Sequence, residues 1–449
     1  MTHTQRRIFL VLIAFLLLLM SACQTSATSN TTHNTNNGTA ATVPKPVPPT
    51  LLPNEGIDKC PTALDSIPGC LTPHQLREAY GVENLYKKGW TGKGQTVIDV
   101  VSFGSPTLKQ DMDTYDQTFG LPPIDLQVIS PLHETEYNPG NSRSDKAGWA
   151  GETTLDVQVI HAIAPEAKVI VMTSPVAETE GTVGLPEFLQ LEQYAIDHHL
   201  GSIFSQSWGA SELTLQDQKG QQELQKWNAF YLQATMLKGM TIFNSSGDNG
   251  AADYSDLQSK HLSTTPTTSF AGDSPWVTAV GGTTLTHTGT NFTEQAWSNS
   301  GGGFSRFYMT PDYQKNLPAD AQSQAKNRRG VPDVAADANP NTGMAVYQGG
   351  MWNAGGGTSA SAPVWAGLMA IANQMAGHPL GFINPALYKL ASQPATYARD
   401  FHDVTQGNNS FPPANVQGYA AAKGWDAVTG LGTPNAENLL PDLVAAMHK

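Results

Sequence analysis

From about residue 95 onward, short apolar runs alternate with helical patterns. Residues 95–101 are apolar almost throughout and lead into Ser102-Phe103-Gly104, the mark of a strand covered on both faces. Residues 167–172, 201–205, 240–245 and 276–280 repeat the pattern. Between these runs, residues 153–163, 185–199 and 221–238 carry apolar side chains at helical spacing. Such alternation predicts an α/β fold, a mostly parallel central sheet with helices on both faces. In folds of this kind reactive groups gather at the carboxyl ends of the strands. A last strong helical run covers residues 364–375, with Pro363 expected as its first residue, where a fixed φ and a missing N–H do no harm.

Composition narrows the picture. Of the 449 residues 39% are hydrophobic, enough for one large core, whereas only 14% are charged and the formal net charge is −13. An acidic, sparsely charged surface argues against nucleic acid as a partner and suits work at low pH, where few cations remain to repel one another. Arg6 and Arg7 precede an apolar run over residues 8–20, shorter than a membrane span of about 20 residues; residues 1–22 are read as a signal peptide. The following Ser21-Ala22-Cys23 resembles a bacterial lipoprotein cleavage box, so Cys23 is the expected lipidation site and would hold the protein on a membrane face. Ordinary secretion after signal cleavage is the alternative. Residues 23–59 are then the lipidated cysteine and a polar, disordered tether, and residues 60–449 one domain. Cys60 and Cys70 remain as a natural disulfide pair in an exported chain, worth about 3 kcal/mol in the chain-entropy account. A monomer is expected.

Three stretches carry candidate chemistry. Gly355-Gly356-Gly357-Thr358-Ser359-Ala360-Ser361-Ala362-Pro363 makes a turn that side chains could not follow, and presents Ser359 just before a helix N-terminus with free N–H groups. A hydroxyl there can serve as a nucleophile beside an oxyanion site. Glu152 and Asp156 stand four apart on a predicted helix, hence on one face, and two such carboxyls tend to share a proton. Their plainer account is an acidic first turn that complements the helix dipole. Asp248, in Ser246-Gly247-Asp248 after a strand, is either a turn residue or a protonated acid donating to an oxyanion.

Together these stretches resemble the sedolisins, the serine-carboxyl peptidases. Supporting segments occur in order: Leu71-Thr72-Pro73, Tyr80-Gly81, Ser205-Gln206-Ser207-Trp208-Gly209, Val280-Gly281-Gly282-Thr283, Gly301-Gly302-Gly303-Phe304-Ser305, Val331-Pro332-Asp333-Val334-Ala335 and Gly424-Trp425-Asp426 with Thr429-Gly430-Leu431-Gly432. The resemblance runs from about residue 60 to the end. It implies Ser359 as nucleophile, Glu152 as general base, Asp156 as the carboxyl that orients Glu152, and Asp248 as oxyanion donor. A carboxylate base can work in acid, where a histidine would be charged. The resemblance further implies protein or peptide substrates, paired as a β-strand along Ser205, Ser207, Trp208 and Gly209. It also implies one structural Ca²⁺ on the carboxylates of Asp403 and Asp426 and the carbonyls of Val404, Ala422 and Gly424. Sedolisins usually carry a folded pro-segment; the stretch before residue 60 is too short and polar to be one. Two other readings stand beside this: a neutral subtilisin-type protease using Asp99 and His161, and a binding lipoprotein without catalysis.

Overall fold

A computed structural model describes residues 58–67, 69–132 and 143–448; the signal peptide, Cys23 and nearly all of the tether lie outside them. The apolar runs form one sheet. Its strands are β1 (Thr96–Ser102), β2 (Asp125–Ile129), β3 (Lys168–Ser174), β4 (Ile203–Gln206), β5 (Thr241–Ser245), β6 (Thr278–Thr288), β7 (Asn291–Ala296) and β8 (Val334–Asp337). They are ordered β8-β6-β5-β4-β1-β3-β2, with β7 attached to β6. Every pairing along that path is parallel, and only β7 runs antiparallel to its neighbour.

Burial on both faces explains why the strands read as continuous apolar runs. Along β1, Val97 and Val101 enter one core while Ile98 and Val100 enter the other. Alternation therefore turns Asp99 toward the first core. Helices α1 (Leu108–Phe119), α2 (Arg143–Ile163), α5 (Thr358–Ala376) and α6 (Ala436–Met447) cover that face. Helices α3 (Leu185–Asp197) and α4 (Gln218–Lys238) cover the opposite one. The connection leaving β1 thus crosses one face and that leaving β4 the other, which opens a crevice at the carboxyl ends of two adjacent strands.

Several elements depart from the sequence expectation. β2 is an edge strand with only half-buried and exposed residues, so it lacks an apolar run. β8 reads Val334-Ala335-Ala336-Asp337, with side chains too small to stand out as an apolar run. α2 begins ten residues before the expected start, because its first turns are mostly exposed and carry no apolar stripe. Cys60 and Cys70 form a disulfide, Cα–Cα 6.3 Å. Among the described residues no helix is long and apolar enough to cross a membrane.

α2 and α5 pack tightly at Gly367, where an added Cβ would lie 2.8 Å from Cβ and Cγ2 of Ile163. Replacing it by valine overpacks a buried helix crossing, a change costing about 1–3 kcal/mol. Gly367→Val is expected to lower the urea midpoint accordingly; an unchanged midpoint would refute the close-packing account.

Candidate active site

The three glycines act through what approaches them. A Cβ at Gly356 would fall 2.7 Å from the Pro340 nitrogen, and one at Gly357 2.5 Å from Oδ2 of Asp248. Gly357 also has φ +85°, a left-handed conformation costly for any side chain. α5 starts at Thr358, so Ser359 is its second residue, on the first turn with its unsatisfied N–H groups. Pro363 is consequently not the first residue of the helix, as expected, but its sixth. There it deletes the N–H that would bond the Ser359 carbonyl. The Ser207 hydroxyl stands 3.2 Å from that carbonyl instead.

Carboxyls line up behind the serine. The Glu152 carboxyl lies next to Ser359, close enough for the serine hydroxyl to pull its proton affinity downward, and its buried Oε1 has no hydrogen-bond partner among the described residues. Asp156, one turn further along α2, is fully buried, and its Oδ1 lies 2.9 Å from the Ser207 hydroxyl. Both sit mid-helix rather than in a first turn, which removes the dipole account of this pair. Behind them Asp99, also fully buried, reaches across from β1 to the Asp156 carboxyl; both of its oxygens and Oδ2 of Asp156 lack any other partner, so a proton on either acid can be shared between the two. Burial pushes Glu152 up to about 7, against a pull downward from the Ser359 hydroxyl and a smaller push from the Asp248 charge. Burial raises Asp156 and Asp99 well above the ordinary carboxylate range; the Asp99 and Glu152 charges push Asp156 further up against a pull from Ser207, whereas Asp156 pulls Asp99 down and Glu152 pushes it up. Such carboxyls hold protons between them rather than all ionising.

Asp248 faces the serine from the loop after β5. It is open to the cleft, yet enough protein surrounds it that lost hydration raises its carboxyl, partly offset by Thr358. The Thr358 N–H and hydroxyl hold Oδ1 at 2.8 and 2.9 Å, leaving Oδ2 beside Gly357. When protonated, Asp248 can donate toward a charge developing next to Ser359. His161 is elsewhere: its Nε2 lies 2.9 Å from the Pro122 carbonyl and 3.1 Å from Asp116. The Asp99–His161 pairing of a neutral protease is therefore not formed.

The expected substrate edge is only partly available. Ser205 lies inside the sheet, paired with Asp99 on one side and Phe243 on the other, so it presents nothing to a ligand. Trp208 is buried against Phe188 and Trp227. Gly209 lies beside the buried carboxyl of Glu178. Ser207 turns its hydroxyl inward to Asp156. Beside Ser359 and Asp248 opens a cavity of about 190 Å³ lined by Glu180, Gly209, Asp253 and Tyr254 among others. Asp99 was legible only as a lone acid within an apolar strand, and nothing in the chain order pointed to its contact with Asp156.

Far along the chain, Asp403 accepts from the Gly424 N–H at 3.1 Å and Asp426 from the Ala422 N–H at 3.0 Å. Both carboxylates act on the same Tyr397 hydroxyl. Among the described residues the carbonyls of Val404, Ala422 and Gly424 accept no hydrogen bond, and burial lifts Asp426 to about 6. No cluster of three or more His, Cys, Asp or Glu side chains suits a metal there. Two carboxylates with three free carbonyls do fit a hard cation.

Fold and site define a subtilisin-like α/β protein in which carboxyls stand where an imidazole would face the serine. The model described as the subtilase family matches residues 144–388. Kumamolisin of Bacillus sp. (strain MN-32) is 33% identical over 84% of this chain and 64% of its own length. The tripeptidyl-peptidase sed4 of Aspergillus fumigatus is 30% identical over 81% of this chain and 65% of its own. The chain thus spans somewhat less than two thirds of either relative. A solved structure of Pseudomonas sedolisin, a serine-carboxyl proteinase with bound pseudo-iodotyrostatin, superposes with a TM-score of 0.67 at 27% identity, covering 82% of this chain and 96% of that one. The chain belongs to the subtilase family, and within it to the sedolisins.

Carboxyls raised by folding bind protons more tightly in the folded than in the unfolded chain. For Glu152 the stabilisation is complete below its ordinary 4.5 and is lost as the pH rises through about 7. Melting temperature should therefore fall from pH 4 to pH 8 by differential scanning calorimetry. A midpoint that rises over that interval would contradict the buried carboxyl line.

Proposed function

We propose that the protein is an acid-active serine-carboxyl peptidase that hydrolyses peptide bonds through an acyl-enzyme on Ser359. The observation carrying this reading is the placement of the Glu152 carboxyl beside Ser359 at the head of α5, with Asp248 acting on the same carboxyl from the other side of the cleft. Glu152 takes the hydroxyl proton as Ser359 attacks the carbonyl, and later returns it to the leaving amine. Asp156, held by Asp99 and Ser207, keeps the Glu152 system short of full ionisation. Asp248 in its protonated form, with N–H groups at the start of α5, stabilises the tetrahedral oxyanion. Glu152 must be free of its proton while Asp248 keeps one; the two carboxyls act on each other, so the working state is the pair with a single proton between them, and it is lost once both ionise. The relatives named above support a peptide substrate. Export with a lipid anchor rests on the sequence of residues 1–23, and a monomer remains the expected state.

On a denatured protein substrate, cleavage is expected in acid and is expected to fade by about pH 8, where Glu152 and Asp248 are both ionised. Ser359→Ala should abolish it while leaving the melting curve intact, and Asp248→Ala should cost about 10²–10³ in kcat. Cleavage by the Ser359→Ala protein at the parent rate would sink the assignment.

The loop between Asp403 and Asp426 would hold one Ca²⁺ through those carboxylates and the carbonyls of Val404, Ala422 and Gly424. A bound cation would keep the buried Asp426 ionised and tie the loop to the short strand at Phe401–His402. A chelator is expected to lower the melting temperature, reversibly on adding calcium, since ligand loss removes its binding free energy from the folded state. Identical melting curves with and without chelator would remove the ion from this reading.

A further inference from the structure

Ser207 has one hydroxyl proton and two neighbours. Its oxygen lies 2.9 Å from Oδ1 of Asp156 and 3.2 Å from the main-chain carbonyl of Ser359. A carbonyl can only accept. If the hydroxyl donates to Ser359, the Asp156 contact survives as a hydrogen bond only when Asp156 is the donor, hence protonated. If Asp156 is ionised, it draws the hydroxyl proton to itself and the Ser359 carbonyl loses its donor. That carbonyl lacks its ordinary α-helical donor, because the residue four further on is Pro363.

Resting on the peptidase reading above, we propose that Ser207 is a positioning residue whose hydroxyl links the Asp156 carboxyl to the main-chain carbonyl of the nucleophile. The peptide of Ser359 is then held in place only while Asp156 keeps its proton. Three elements meet at this link: β1 brings Asp99, α2 brings Glu152 and Asp156, and the segment after β4 brings Ser207. The titratable groups acting on Asp156 are Asp99 and Glu152; no lysine, arginine or histidine is among the groups that act on it. Asp248 enters one step removed, through Glu152. Lacking a cation, the line favours a proton on Asp156 in acid, and burial of the carboxyl supports this. When the pH rises the proton goes to solvent, the hydroxyl turns, and no bond other than hydrogen bonds changes. The protonation of a buried acid is in this way transmitted to the backbone that aims the serine, in addition to its effect on Glu152.

The test is steady-state kinetics on one peptide from pH 3 up to the highest pH at which the parent still turns over. Activity of the parent and silence of Ser359→Ala first establish the peptidase reading independently. Ser207→Ala is then expected to lower kcat about threefold to tenfold at the acid end, the worth of one neutral hydrogen bond, with KM within about twofold. The ratio of parent to variant kcat should shrink toward one as the pH rises, since above the ionisation of Asp156 neither protein has the link. Ser207→Thr, which retains a hydroxyl, should keep most of the activity. The double variant Ser207→Ala/Pro363→Ala should recover part of the loss, because alanine at 363 returns an N–H to the carbonyl of residue 359. A ratio that stays constant with pH, or a double variant no better than Ser207→Ala, would overturn the proposal. Should Ser207→Ala prove unfolded by its melting curve, Ser207→Cys, a much weaker hydrogen-bonding group of similar size, is expected to show the same pH-dependent ratio, and a constant ratio there would overturn it equally.

Discussion

Three carboxyl groups, Asp99, Asp156 and Glu152, lie in the protein interior with no cation among the charges acting on them. Taking an ionised carboxylate out of water is costly unless it is paired, so the arrangement is tolerable only if protons are retained and shared. Much else in the molecule follows from that constraint. β1 must alternate so that Asp99 faces the α2 side, and α2 must run on as a continuous helix so that Glu152 and Asp156 stack on its inward face. α5 must come close enough at Gly367 for Ser359 to meet Glu152.

The oxygen-rich cluster is balanced by backbone dipoles rather than by side-chain cations. Ser359 stands on the first turn of α5, where N–H groups concentrate. Thr358 gives both its N–H and its hydroxyl to Asp248, and Gly357 lets that carboxyl approach within a distance no Cβ would allow. An imidazole in the place of Glu152 would add a positive charge in acid. A carboxyl adds none, which agrees with a chain whose charged fraction is only 14%.

How far the sequence could be read depended on how local each signal was. The strands from β1 to β6, β2 excepted, announced themselves because burial on both faces leaves an uninterrupted apolar run. β2 did not, since it lies at the edge and is half exposed. The triple-glycine turn, the four-residue spacing of Glu152 and Asp156, and the loop holding Asp248 were all legible as candidate chemistry, and their order in the chain carried the family resemblance. Errors fell where a local rule met a tertiary contact. Pro363 looked like a helix start but sits inside α5, its missing N–H made good by Ser207. Ser205 looked like part of an exposed edge but is flanked by two strands. Glu152 looked like part of a first turn because the exposed start of α2 lacks an apolar stripe.

The chain alone thus determined the α/β architecture, the turn that displays Ser359 and which acids could serve it, since periodicity, glycine placement and residue type are local properties. Only the tertiary structure decided that Asp99 belongs with Asp156, that Ser207 faces inward to two oxygens and that His161 faces away to Asp116. Those are contacts across tens to hundreds of positions, set by strand order and by the direction in which each buried side chain must point, and neither quantity is written in any short stretch of residues.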